Sequence, residues 1–379
     1  MRVTLTTATA TKLTANNMSR AYNFGAGPAM LPAEVMLRAQ SEFLNWQNTG
    51  MSVMEISHRG PEFGALIEQI EANFRSLLNI PENYQVLFLH GGASHQFGMV
   101  PINCLHNKAD YLVTGIWSEK AAKEAVRYGR LGSIKTINAQ CINDEGLRDF
   151  VDADQWSLSA DADYLHYTPN ETIGGLEFHQ PPKVSEAPLI GDFTSSLLSE
   201  PLNIEDYGLI YAGAQKNVGM VGLTVVIVRE DLIGQMPGDY PILYDYAEHV
   251  KSRSLYNTAP TYPWYMAGLV FDWLIEQGGL KVMAERNLEK SSKLYDYIDT
   301  SEFYNNDVAK RARSRMNVPF TLADESLNQA FLDESNAAGL LALKGHRSVG
   351  GMRASIYNAM PVEAIDALIE FMQAFENKA

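Results

Sequence analysis

From about residue 84 the chain alternates short, nearly continuous apolar runs with amphipathic stretches. Residues 84–89, 111–114, 164–167, 188–193, 208–211 and 223–229 read as strands apolar on both faces. Such strands belong to a mostly parallel sheet covered by helices on each side. After about residue 262 the pattern lengthens to helical periodicity over 263–276 and 280–299, divided by Gly278-Gly279. A strand over 316–322, a helix over 325–338, short strands around 340–343 and 352–357, and a last helix from Pro361 follow. The two characters predict a large α/β domain and a smaller α+β domain.

Length agrees with this division, because at 379 residues a single core has usually stopped growing. Thirty Lys and Arg against 45 Asp and Glu leave a net charge of −15, which repels a phosphate backbone and argues against nucleic acid as a partner. No apolar run approaches the roughly 20 residues of a membrane-spanning helix. Cys104 and Cys141 lack CxxC spacing, so neither a disulfide nor a zinc site is expected, and a reducing, cytoplasmic setting fits. Residues 1–20 carry Arg2, Lys12 and Arg20 and no acid, a weak likeness to an organelle transit peptide. We read them instead as a disordered or non-native extension, with Met18 as the start.

Four residues stand where strands run out at their carboxyl ends, the edge at which open α/β sheets bind ligands. Lys216 follows the run Tyr211-Ala212-Gly213-Ala214-Gln215, whose small side chains allow close approach, and burial there would make it a nucleophilic amine. Asp192 ends the preceding apolar run and offers an anion to a protonated ring nitrogen, although a turn-capping role is about as common for such an Asp. Ser94 follows Gly91-Gly92-Ala93, a turn into a helix N-terminus that suits a phosphate. Trp117 is placed to stack on a planar ring, and Ser118 to cap the helix that follows. A lone lysine or Trp is more often solvated or core, and the coincidence of four at one edge is what raises the odds of each.

Against the acidic background, His58-Arg59 and the run Gly345-His346-Arg347-Ser348-Val349-Gly350-Gly351-Met352-Arg353 are basic. Arginine matches carboxylate or phosphate through two parallel hydrogen bonds, so several of them suggest a substrate with two anionic ends.

These residues sit in Phe24-Gly25-Ala26-Gly27-Pro28-Ala29-Met30-Leu31-Pro32, Ser57-His58-Arg59-Gly60, His166-Tyr167-Thr168-Pro169-Asn170-Glu171-Thr172-Ile173, and the stretches 211–217 and 345–355. Together the motifs make the chain resemble the phosphoserine aminotransferases, in the class V group of fold-type I enzymes dependent on pyridoxal 5'-phosphate. The resemblance implies a large domain over 33–262 with a mostly parallel seven-stranded sheet, and a small domain of 21–32 with 263–379. It implies that Lys216 holds the cofactor covalently, Asp192 pairs with its ring nitrogen, Trp117 stacks on the ring and Thr172 contacts the 3'-oxygen. Ala93, Ser94 and Gln215 match the phosphate site, completed by Asn257 and Thr258 from the partner of a homodimer. Arg353 matches the group that takes the substrate α-carboxylate. The distal anion falls to His58, Arg59 and, from the partner, His346 and Arg347.

The implied reaction is reversible transamination of 3-phosphohydroxypyruvate with L-glutamate, with a second phosphorylated oxo acid of pyridoxine biosynthesis also allowed. Two departures stand out. Many relatives carry Gly-Arg where this chain has Ala93-Ser94, leaving His95 as a candidate substitute, and Gly25-Ala26 replaces a Ser pair. Rival readings are an aminotransferase or desulfurase of the same fold with an uncharged substrate, which the basic cluster disfavours, and a non-catalytic binding protein, which Lys216, Asp192 and Trp117 together disfavour.

Overall fold

A computed structural model describes residues 20–182 and 186–379. The expected extension therefore lies outside the described residues apart from Arg20, whose guanidinium donates to the Leu31 carbonyl at 3.2 Å.

A seven-stranded sheet organises the chain. Its strands are β1 (Tyr84–Leu89), β2 (Lys108–Val113), β3 (Ser133–Asn138), β4 (Tyr164–Tyr167), β5 (Leu189–Asp192), β6 (Leu209–Gly213) and β7 (Thr224–Arg229). They lie in the order β1-β7-β6-β5-β4-β2-β3, all parallel except β7, which runs antiparallel to both neighbours. Six were expected from apolar runs, with ends shifted by a few residues. β3 was not, because as an edge strand with the sequence SIKTIN it is mostly exposed and carries no apolar run.

Two helical layers cover the sheet. On one side α2 (Pro61–Leu78) and α6 (Thr261–Glu276) bury Phe63, Phe74, Trp264 and Phe271 against Phe88 and Ile227. On the other, α3 (Ala93–Cys104) and α4 (Ile116–Ala125) pack Phe97, Val100 and Ala121 on Tyr111, Tyr211 and Val226. The first core runs past residue 262 through α6 to Leu280 and Met283 of α7 (Gly279–Thr300). A separate core gathers Phe24, Leu294, Phe320, Phe331, Ala354 and Leu368 around the antiparallel strands Tyr304–Asn305, Asn317–Leu322 and Met352–Ser355. Phe24 joins it because Tyr22–Asn23 pairs in parallel with Leu340–Leu341.

The helix expected over 325–338 is a 3-10 turn, Glu325–Leu327, followed by an α-helix, Asn328–Ala337. Asp324 caps the turn by accepting from the Ser326 N–H at 2.9 Å.

Candidate active site

The carboxyl edge of the sheet opens into a cavity of about 630 Å³, lined by Ser94, Trp117, Thr172, Asp192, Lys216 and Arg353 among others. That volume suits a drug-sized ligand. All four strand-end candidates meet there, as do Ala93, Gln215 and His346.

Lys216 follows β6 in a turn and is buried. Its Nζ donates to Thr172 Oγ1 at 2.6 Å and stands 5.9 Å from the Tyr357 ring centroid. Burial pulls its pKa down to about 7, with Arg353 adding to the fall and Asp192 and Glu171 opposing it. The amine is thus largely neutral just above neutral pH and nucleophilic.

Asp192, at the end of β5, is also buried. Burial raises its pKa, while hydrogen bonds from Thr194 and the charge of Lys216 pull it back. Its Oδ1 accepts from the Thr194 N–H at 3.0 Å, so the turn-capping role and the cavity-facing role belong to one residue.

The phosphate-type turn has the backbone the glycines predict. Gly91 and Gly92 have φ of 98° and 79°, and a Cβ on Gly91 would lie 1.4 Å from His95 Nδ1. The amides of Ala93 and Ser94 open the 12-residue α3, where unpaired N–H groups and the helix dipole favour an anion. His95, the candidate substitute for a missing arginine, does not line this cavity. It lines a neighbouring one of about 240 Å³ with His90, His249 and Asn257, because the turn carries it to the other side of Gly91.

Glu171 is the residue that sequence reasoning passed over. Fully buried, it caps α4: Oε1 accepts from the Ser118 N–H at 2.8 Å and from the Ser118 hydroxyl at 2.6 Å, and Oε2 from the Trp117 N–H at 3.1 Å. Gly115 must be glycine, since a Cβ would come 2.5 Å from the Glu171 carboxyl carbon. Ser118 accordingly does not cap Ala121 or Ala122 as expected. It lies inside the helix, and its Oγ accepts from the N–H groups of Thr114 and Gly115 at 3.0 and 3.1 Å. Asn170 beside it, itself in the cavity lining, donates to Ser195 Oγ and Asn317 Oδ1 at 2.9 and 2.8 Å. Its place inside the quoted motif was the only sequence signal.

Arg353, on the strand Met352–Ser355, forms no ion pair among the described residues. Its Nη1 donates to the Thr172 carbonyl at a long 3.4 Å, and its buried Nε has no partner. Burial lowers its pKa, a cost to the guanidinium cation that an anion bound in the cavity would offset.

His346 lines this chain's own cavity. The loop from Gly345 folds back on itself, with Gly345 N–H donating to the Gly351 carbonyl at 2.9 Å and Gly350 N–H to the His346 carbonyl at 2.8 Å. Arg347 is outside the cavity and borders a depression with Lys344 and Glu325. His58, Arg59, Asn257 and Thr258 are outside it as well. The exposed Arg59 donates to the Leu255 carbonyl at 3.4 Å, and Asn257 lines the neighbouring cavity with His95.

Residues 21–368 match the class-V aminotransferase family, and the chain belongs to it. Within that class, the phosphoserine aminotransferase of Acinetobacter baumannii is 56% identical over 361 residues, covering 95% of this chain and 99% of that one. The solved phosphoserine aminotransferase of Bacillus circulans subsp. alkalophilus superposes with a TM-score of 0.89 at 45% identity, covering 95% and 99% of the two chains. The pyridoxal-phosphate-bound phosphoserine aminotransferase of Trichomonas vaginalis does so with 0.89 at 42% identity, covering 93% and 100%.

Proposed function

We propose that this aminotransferase converts 3-phosphohydroxypyruvate and L-glutamate reversibly to O-phospho-L-serine and 2-oxoglutarate, the phosphoserine aminotransferase step of serine biosynthesis. The carrying observation is a single cavity that holds a buried Lys216, its pKa pulled down to about 7, and an Arg353 with no ion pair among the described residues, in a chain 56% identical to a phosphoserine aminotransferase. A second phosphorylated oxo acid, 3-hydroxy-2-oxo-4-phosphooxybutanoate of pyridoxine biosynthesis, has the same two anionic ends and is proposed as a further substrate. The proposed setting is the cytoplasm, in keeping with two free cysteines.

The residues present fit pyridoxal phosphate: a neutral amine, a carboxylate, a phosphate-type turn, and Trp117 and Arg353 with the unpartnered buried atoms Nε1 and Nε. Bound there, the cofactor supplies an electron-accepting ring that acidifies the substrate's Cα–H. Lys216 would hold it covalently, and its amine is the base placed to move the Cα proton. Asp192 would pair with the protonated ring nitrogen, Thr172 with the 3'-oxygen, and Trp117 would cover the ring. The amides of Ala93 and Ser94, with Gln215, hold the phosphate. Arg353 takes the α-carboxylate and His346 faces the distal anion.

His58, Arg59, Asn257 and Thr258, all outside this cavity, complete the partner's site in a homodimer. The large sheet carries the cofactor, and the core around Phe320 and Ala354 carries Arg353.

The test is the half-reaction of the holoenzyme followed by its cofactor absorbance. O-phosphoserine and glutamate are expected to convert the band, and serine or cysteine far less efficiently. Efficient conversion by serine with none by phosphoserine overturns the reading.

A further inference from the structure

Lys120 begins the second turn of α4, three residues after Trp117 and therefore on the same helix face. Its Nζ lies over the Trp117 ring, 4.4 Å from the centroid, and Trp117 lines the cavity of Lys216. A cation over an aromatic face is attracted there, which keeps the ammonium at the cavity rim.

The acids of α4 are engaged elsewhere: Glu119 pairs with Lys123 at 2.6 Å and Glu124 with Arg127 at 3.1 Å. Among the described residues Lys120 has no ion-pair partner, in a chain with 15 more acids than Lys and Arg combined. The same ammonium acts on His346. That imidazole is held below its ordinary pKa first by burial and then by the charges of Arg353, Arg347 and Lys120. His346 and Arg353 line the cavity together with Trp117, the ring over which Lys120 is held.

We propose that Lys120 is a substrate-binding residue of this site, which supplies the cation for the distal phosphate or carboxylate that the Ala93-Ser94 turn lacks. The proposal rests on the reading of a doubly anionic substrate. Ser94 offers a hydroxyl and an amide but no charge, and His95 is turned into the neighbouring cavity. A lysine ammonium is a mobile point charge with three donors on a flexible stem. It can leave the Trp117 face and follow either a phosphate or the longer glutamate carboxylate, which suits a pocket that takes both in turn.

The experiment measures apparent dissociation constants of O-phosphoserine and of serine in the holoenzyme half-reaction for wild type, Lys120→Met and Lys120→Arg. Lys120→Met is expected to weaken phosphoserine by about fivefold, the scale of one partly exposed charge pair. It should leave serine unchanged, and Lys120→Arg should retain the wild-type preference. An unchanged ratio of the two constants in Lys120→Met, whether both stay or both move, overturns the proposal while leaving the functional reading intact. A wild-type enzyme with no preference for phosphoserine overturns the functional reading and this inference with it.

Discussion

Lys216 Nζ donates to Thr172 Oγ1 at 2.6 Å, a bond that joins the turn after β6 to the motif after β4. Both groups are buried, so water does not replace it when it is lost. Thr172→Val is expected to slow cofactor loading of the apoprotein and kcat by about tenfold each, the effect of one hydrogen bond worth ~1.4 kcal/mol. Stopped-flow absorbance measures the first and a coupled assay the second.

The amine that makes this bond titrates near pH 7. Its neutral fraction rises as pH rises through that value and falls below it. The loading rate of the apoprotein should therefore increase with pH and level off above about 7, rather than climbing toward the ordinary lysine value of about 10.4. A rate profile between pH 5.5 and 9.5 decides between the two.

The role proposed for Asp192 is to pair with the protonated ring nitrogen of the cofactor. Asp192→Asn keeps the shape and the turn but removes the charge. The variant is expected to load cofactor while kcat falls by about 10²–10³, as for other groups that stabilise charge developing in the reaction. Cofactor content by absorbance and kcat by coupled assay separate loading from turnover.

The cap on α4 has a stability consequence. Glu171→Ala leaves the N–H groups of Trp117 and Ser118 without their acceptor in a buried place. Destabilisation of about 3 kcal/mol is expected, at the upper end for orphaned buried donors. Urea unfolding of the apoprotein measures it.

Much of this was legible beforehand. Strands buried on both faces announce themselves by composition, so six of seven were found, and with them the edge at which Lys216, Asp192, Trp117 and Ser94 converge. The polar edge strand Ser133–Asn138 has no such signal, because its exposed face obeys no apolar rule. Side-chain direction was the other gap. His95 and Ser94 are adjacent in sequence, yet the left-handed turn at Gly91 and Gly92 sends them into different cavities. Glu171 was invisible for a related reason, since a carboxylate that serves a helix 53 residues away is recognised only once the two are packed.

A second buried lysine sharpens the central claim. Lys290 on α7 is also pulled down to about 7 by burial, but its Nζ donates to the carbonyls of Ile356 and Tyr357 at 2.9 and 2.7 Å and does not line the cavity. Low pKa alone does not choose between the two, whereas geometry does. The direct measurement is borohydride reduction of the holoenzyme, which fixes the cofactor on its lysine, followed by proteolysis and peptide mass analysis. The account predicts the added phosphopyridoxyl mass on the peptide containing Lys216 and on no other. The same mass on the Lys290 peptide, or on neither, would contradict it.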